Sequence, residues 1–316
     1  MKILVTPTSF RKPQNDKARK ILESFADEIV YNPYGRPLES EEVCELIKDC
    51  DGYIAGLDYI DKNAIAKASK LRVISRYGAG VDRVDLKSTK HKDIIITNTP
   101  GTNSVAVCEL AFGLMLSLAR SIPKLNNAVI KGEWPRNNGV ELKGKTLSIF
   151  GLGAIGKNLA IRAKAFGMQV NAYDPYIDET YAQAQGITVC TFEQALKTAD
   201  FISLHMPLME ETKHCIDENA IASMKDGAYI INTARGGLID EAAAHKALLG
   251  GKLAGMALDA YECEPVTDSP LIKLDNVIST PHTGAHTNEA ISGMGLMAVE
   301  NLIAVLEGKD CKSIIR

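Results

Sequence analysis

Three polar clusters lie where the neighbouring residues are too apolar or too glycine-rich to solvate them well. In Ile231-Asn232-Thr233-Ala234-Arg235-Gly236-Gly237 an arginine stands between a strand-like run and two glycines. Its planar guanidinium can there present paired donors to a carboxylate. In Ser279-Thr280-Pro281-His282-Thr283-Gly284-Ala285 a histidine is held at a strand end between Pro281 and Gly284. Imidazole titrates near neutrality, so this residue is a candidate general acid and base. The third cluster, Ala257-Leu258-Asp259-Ala260-Tyr261-Glu262-Cys263-Glu264-Pro265, offers Asp259, Glu262 and Glu264 as partners for it. Spacing alone does not choose among these acids. His282 and His286 have the spacing of a metal pair, but Gly284 and the turn context put them on different elements, so no metal is expected.

A fourth stretch points to a nucleotide. The apolar run Thr146-Leu147-Ser148-Ile149 breaks into Phe150-Gly151-Leu152-Gly153-Ala154-Ile155-Gly156 and continues as a helix-forming segment from Lys157 to Phe166. Gly151 permits the tight turn, and Gly153 lets backbone N–H groups at Ala154 and Ile155 approach a pyrophosphate. Gly156 lets the helix pack close to the strand. A second apolar run, Met168 to Tyr173, ends in Asp174, about 20 residues further on, where a carboxylate can accept from the ribose hydroxyls. That carboxylate would repel a 2′-phosphate, and Pro175 and Tyr176 follow it with no Arg or Lys, so NAD is expected and not NADP.

The elements that must position these groups alternate along the whole chain. Strand-like runs at Ile3–Thr6, Glu28–Tyr31, Gly52–Ala55, Arg72–Ser75 and Ile94–Thr97 enclose helical patterns such as Lys17–Phe25, Ser40–Lys48 and Lys62–Ser69. A second series follows at Leu147–Phe150, Gln169–Tyr173, Phe201–His205, Ala228–Asn232, Gly255–Asp259 and Asn276–Thr280. Such alternation predicts an α/β protein with two doubly wound parallel sheets. The first series has its own glycine turn, Arg76-Tyr77-Gly78-Ala79-Gly80-Val81-Asp82, but it lacks the third glycine and an acid after the next strand. The second unit is therefore expected to take the cofactor, leaving the first to hold a substrate. The Pro/Gly break at Thr97-Asn98-Thr99-Pro100-Gly101 and a helical pattern from Asn288 to Leu306 set the expected domains. These are 1–98 plus 287–316 for substrate and 99–286 for NAD, the substrate domain being discontinuous.

Composition narrows the partners. With 316 residues, 46% hydrophobic and 24% charged, the chain suits a globular protein with substantial cores. A net charge of −3 gives no reason to expect nucleic acid or an anionic membrane as partner. The seven cysteines form no CxxC pair or framework, which reads as reduced thiols in the cytoplasm. The most hydrophobic stretch, Val105 to Ala119, is interrupted by Glu109 and is too short to span a bilayer.

Taken together, the motifs resemble the signatures of the D-2-hydroxyacid dehydrogenases. The likeness is carried by Asn232-Thr233-Ala234-Arg235-Gly236-Gly237-Leu238-Ile239-Asp240-Glu241, Leu258-Asp259, Glu264-Pro265 and Pro281-His282-Thr283-Gly284-Ala285. Asn98-Thr99-Pro100-Gly101 and Leu204-His205-Met206-Pro207-Leu208 extend it over nearly the whole chain, closest to the short phosphoglycerate dehydrogenase-like branch. The resemblance implies two Rossmann-like domains and hydride transfer between NAD and C2 of a small 2-hydroxy or 2-oxo acid. It implies that Glu264 partners His282 and that Arg235 grips the substrate carboxylate. His205, Pro207, Thr212, Thr233, Ala234, Asp259 and Gly284 would line the cofactor site; Arg76, Gly78, Ala79 and Asn103 would face the substrate.

Arg83, Ala79 and Cys108 depart from the residues usual at their positions in the family, the first two beside the presumed substrate pocket. Arg11, Lys12, Arg36 and Arg83 lie in the same domain, and such charge favours 3-phosphoglycerate or phosphohydroxypyruvate over an acid with one anion. A glyoxylate or hydroxypyruvate reductase is the alternative, and an NADH-sensing scaffold like the corepressors of this family is a different class. A homodimer is expected through the helix from about Asn103 to Arg120 and the loop carrying Trp134. The end of the chain just after the last helix suggests that the regulatory domain of longer phosphoglycerate dehydrogenases is absent.

Overall fold

Runs of apolar and β-branched residues, each closed by a turn residue, become the strands of two parallel sheets in the computed structural model, which describes residues 1–315. The chain divides into one unit of Met1–Asn103 together with the stretch from Ala285 on, and a second of Ser104–Gly284. In the first unit Lys2–Val5 (β1), Glu28–Tyr31 (β2), Gly52–Ala55 (β3), Val73–Arg76 (β4) and Ile95–Thr97 (β5) pair in the order β2-β1-β3-β4-β5. The helices between them are Asp16–Phe25 (α1), Ser40–Leu46 (α2), Lys62–Lys67 (α3) and Leu86–His91 (α4). Side-chain acceptors start several of these helices. Asp61 takes the amides of Asn63 and Ala64, and Asp85 takes those of Lys87 and Ser88, satisfying donors that a first turn leaves open.

The second unit opens with Ser104–Ala119 (α5) and Ile122–Ile130 (α6), and the glycine motif then joins Thr146–Phe150 (β6) to Ala154–Ala165 (α7). There follow Gln169–Tyr173 (β7), Glu179–Ala184 (α8), Thr188–Val189 (β8), Phe192–Thr198 (α9), Phe201–Leu204 (β9) and Glu218–Ser223 (α10). Ala228–Asn232 (β10), Glu241–Leu249 (α11), Leu253–Leu258 (β11) and Val277–Ser279 (β12) complete it. The sheet order is β12-β11-β10-β9-β6-β7-β8, all parallel. The chain runs outward from β6 to β8 and then returns to β9 on the other side of β6. The two strands β6 and β9 stay paired to their carboxyl ends, and the connections leaving them lead to opposite sides of the sheet, the switch point outside which open sheets of this kind bind ligands. Central strands are apolar on both faces, with Leu147, Ile149, Phe150, Ile202, Leu204, Ile230 and Met256 inaccessible, because helices cover both sides.

The last helix, Asn288–Leu306 (α12), belongs to the first unit. It is long and apolar enough to cross a membrane by length and composition, yet Ala298, Val299 and Leu302 share a fully buried cluster with Ile3, Ile54 and Val73. Ser75 Oγ donates to the carbonyl of Ala298 at 2.8 Å. Gly295 admits the helix over Asn15, whose side-chain oxygen occupies the space of a would-be Cβ.

The domain limits fall at 103/104 and 284/285, not at the expected 98/99 and 286/287. Thr99 explains the first difference. Its amide donates to the carbonyl of Gly78 and its Oγ1 accepts from the Gly78 amide, both at 3.0 Å, so the Pro/Gly break stays with the first unit. At the other end, Gly284 is bonded to Asp259 and remains with the second. The helix expected from about Asn103 to Arg120 is Ser104–Ala119, and α6 follows beyond Ser121, which takes a left-handed φ of 51°. Replacing Leu302, fully buried in α12, by alanine should cost about 2–5 kcal/mol. Urea denaturation followed by circular dichroism measures it, and a loss below about 1 kcal/mol would mean α12 is not part of that core.

Candidate active site

The turn after β6 has the geometry of its sequence. Gly151 takes φ +100°, and a Cβ there would press on the carbonyl group of His205. Gly153 caps the N-terminus of α7, and nothing lies within 4 Å of where its Cβ would be, so a ligand can approach the backbone. Ala154 and Ile155 form the first helical positions, with their amides free of the intrahelical ladder. A Cβ on Gly156 would collide with the carbonyl of Gly151. Asp174, just past β7, accepts the Leu152 amide on Oδ2 and the Tyr176 amide on Oδ1, each at 2.8 Å. One backbone bond on each oxygen leaves lone pairs for two ribose hydroxyls.

Two polar atoms at neighbouring strand ends are buried without a partner: His205 Nδ1, just past β9, and Thr233 Oγ1, just past β10. Buried polar atoms are nearly always satisfied, so these two, among the described residues, have hydrogen-bonding capacity left for a polar group. The other ring nitrogen of His205 lies 2.9 Å from Ser203 Oγ. Burial pushes the imidazole down to about 4, keeping it neutral. Thr212 Oγ1 accepts from the Met209 amide and donates to the Pro207 carbonyl, both at 2.8 Å, which shapes the loop below His205. These groups fit a dinucleotide: open amides at a helix N-terminus, an acid at ribose distance in sequence, and unpaired atoms along the strand ends.

At the end of β10, the role of Asn232 was not foreseen. Fully buried, this residue accepts the Ala234 amide at 3.0 Å and donates to the Arg235 carbonyl at 2.8 Å, so it shapes the turn that presents Arg235. The half-buried guanidinium of Arg235 returns Nη1 to the Ala234 carbonyl at 2.8 Å. An asparagine closing an apolar strand is the only sequence sign of this brace.

The three acids left open by spacing have different surroundings. Glu264 faces His282, with its two carboxylate oxygens 2.9 and 3.0 Å from Nδ1. Asp259 is buried, and both its oxygens hold the turn around His282: Oδ1 accepts from Thr280 Oγ1 at 2.6 Å and the Thr283 amide at 2.8 Å, and Oδ2 the Gly284 amide at 2.8 Å. These bonds tie Asp259 to the histidine turn. Glu262 turns away toward His214 at 2.9 Å. His282 adopts a left-handed φ of 50°, a conformation that costs a non-glycine residue about 1 kcal/mol or more and needs such bracing.

In the first unit Arg76 is buried at the end of β4, donating from Nε to the Gly80 carbonyl at 3.1 Å and from Nη1 to the Ala55 carbonyl at 3.2 Å. It braces the loop that contains Gly78, at φ +144°, and Ala79, whose carbonyl accepts from Asn98 Nδ2 at 2.8 Å. Asn103 sits half-exposed ahead of α5. Arg36 forms a two-pronged pair with Glu42 at 2.7 and 2.8 Å. Arg83 lies over the Tyr59 ring and donates to the Leu57 carbonyl. Arg11 lies over Tyr31, beside Thr8 and Asn32.

The family model for the NAD binding domain of D-isomer specific 2-hydroxyacid dehydrogenases matches residues 112–284. The chain is 44% identical over 319 residues to a D-3-phosphoglycerate dehydrogenase of Methanocaldococcus jannaschii, covering 100% of itself and 59% of that protein. It is 42% identical to a hydroxypyruvate reductase of Thermotoga maritima over 85% of its own length and 89% of the relative's. Among solved structures, a D-lactate dehydrogenase of Aquifex aeolicus complexed with NAD and lactic acid superposes with a TM-score of 0.84 at 28% identity, over 97% of this chain and 96% of that one. The chain spans between 53% and 59% of the length of the first phosphoglycerate dehydrogenases it matches.

The neutral state of His205 has a consequence for stability. The ring titrates near 6.5 when unfolded and near 4 in the fold, so across that window the unfolded chain binds more protons. Stability therefore falls as pH drops from 6.5 to 4, by roughly 3 kcal/mol in total from this one group. Urea midpoints measured across that range should fall less steeply for His205→Gln than for the wild type. Identical slopes would mean that the ring is solvated.

Proposed function

The chain belongs to the D-2-hydroxyacid dehydrogenase family and carries its NAD-binding domain, and from that premise we propose its reaction. It moves a hydride between nicotinamide and C2 of a small D-2-hydroxy acid or 2-oxo acid, with 3-phosphoglycerate and phosphohydroxypyruvate as the pair it serves. The observation that carries this reading is the Glu264–His282 pair at 2.9 Å, on loops that leave the same sheet edge as Arg235.

When bound, the cofactor supplies or accepts the hydride. Glu264 accepts the Nδ1 proton of His282, which leaves Nε2 to give a proton to the carbonyl oxygen on reduction and to take it from the hydroxyl on oxidation. The carboxylate also stabilises the imidazolium through an ion pair. Arg235 holds the substrate carboxylate so that C2 faces the hydride, a contribution of position. Arg76, Gly78, Ala79 and Asn103 are the residues of the first unit assigned to the substrate.

The phosphorylated acid is supported by the 44% identical relative and by Arg11 and Lys12 on the loop after β1. A hydroxypyruvate or glyoxylate reductase is the second reading. It is favoured by the pairing of Arg36 with Glu42, which neutralises one cation, and by the engagement of Arg83 with the Leu57 carbonyl and the Tyr59 ring, which occupies some of its donors. The working form in this reading is a cytoplasmic homodimer joined through the second unit. Ile122, Val129, Ile130 (75% exposed) and Trp134 (79% exposed) offer an apolar face on α6 and the loop after it, and the free thiols suit a reducing compartment.

Two measurements test the proposal. His282→Ala should lower turnover about 10²–10⁴-fold while leaving NADH affinity nearly unchanged, and near-full activity would remove His282 from the mechanism. Comparing kcat/KM for phosphohydroxypyruvate and hydroxypyruvate decides the substrate. A preference below about tenfold, roughly 1.4 kcal/mol, would mean that no phosphate site exists.

A further inference from the structure

Glu264 sits on an irregular loop after β11, Tyr261 to Pro265, whose residues themselves form no helix or strand. Side chains hold it instead. The Tyr261 hydroxyl lies 3.1 Å from the carbonyls of both Leu258 and Thr280. Glu262 and Glu241, the first residue of α11, clasp one another. The Glu262 amide donates to Glu241 Oε1 at 2.9 Å, and the Glu241 amide donates to Glu262 Oε1 at 3.3 Å. Ser269 Oγ donates to the second oxygen of Glu241 at 3.0 Å.

His214 joins this clasp to the other catalytic loop. Its Nε2 lies 2.9 Å from Glu262 Oε1, and its backbone amide donates to the carbonyl of Gly237 at 2.8 Å, two residues past Arg235. The residue holds a left-handed φ of 50° to make both contacts. Gly236 lies directly against the peptide between Tyr261 and Glu262, where a Cβ would collide. The Arg235 turn and the Glu264 loop are thus in contact at Gly236 and tied together through His214.

We infer that His214 is a positioning residue. By bonding Glu262, it sets the Glu264 loop against the Arg235 turn, so that Glu264 meets His282 with both oxygens while Arg235 holds the substrate. This rests on the reading that Glu264 works through His282. Both side chains of the His214–Glu262 pair are well exposed, at 40% and 38%, and such pairs add little to stability. Loss of alignment by a fraction of an ångström, in contrast, is costly to a reaction that depends on position.

The test uses the full chain as wild type, His214→Ala and His214→Gln, the last retaining a donor for Glu262. His214→Ala should lower kcat with the best 2-oxo acid of the wild type about tenfold. Its NADH affinity and urea midpoint should stay at wild-type values, and His214→Gln should recover kcat to within about twofold of wild type. Hydrogen exchange at the Tyr261 and Glu262 amides should quicken about tenfold in His214→Ala and not in His214→Gln, with β10 unchanged. Unchanged kcat in His214→Ala, a glutamine variant as impaired as the alanine one, or unchanged exchange would each overturn the inference. A wild type that turns over no 2-oxo acid refutes the dehydrogenase reading instead, and the exchange rates then decide the clasp alone.

Discussion

In the second unit every strand runs the same way, so every strand releases its chain at the same edge of the sheet. Parallel pairing requires this, because each strand must be followed by a crossover that returns to the opposite edge before the next can pair. The glycine turn, His205, Thr233, Arg235, the Glu264 loop and His282 each follow a strand, and this one constraint gathers them although they are spread from residue 151 to residue 282. The reversal of strand order between β6 and β9 then makes the switch point at which sheets of this kind bind a ligand.

Direction brings the loops together, but it does not aim their side chains. That task falls to buried or clasped polar groups standing beside the chemical ones. Asp259 holds the turn of His282 with both oxygens, Asn232 shapes the turn of Arg235, and Asp174 ties the glycine turn to the end of β7. Each is a strand-end residue whose hydrogen bonds are made within its own unit, so the geometry of the site is stored in the fold. Four non-glycine residues among those described take positive φ, and two of them are His282 and His214. Strained backbone of this kind persists only where surrounding contacts over-determine it.

The first unit uses its charged residues differently. Arg76, a buried arginine at a strand end, braces its own glycine loop, while Arg36 and Arg83 are engaged by a glutamate, a carbonyl and a tyrosine ring. Arginine counts in a sequence therefore overstate the guanidinium donors available to a ligand. A guanidinium has five donors, and neighbouring carbonyls compete for them.

Local interactions were legible without coordinates. The strand–glycine–helix turn at 146–166, the acid ending β7 and the alternation of strands with helices follow from backbone freedom and residue pattern, and each appears where the residues foretell it. Even the return of α12 to the first unit could be read from its place after the last strand. Between Asp259, Glu262 and Glu264 the spacing left the roles open, and only the family likeness pointed to Glu264. Tertiary structure supplies the reason, because the acids' partners, at 280–284, 241 with 214, and 282, lie too far along the chain for local pattern to show them. The short strand β8 and the attachment of Thr99 to Gly78 were hidden for the same cause. Residue pattern determines which segments form and where charge must be held, whereas contacts across long sequence separations decide which polar group meets which.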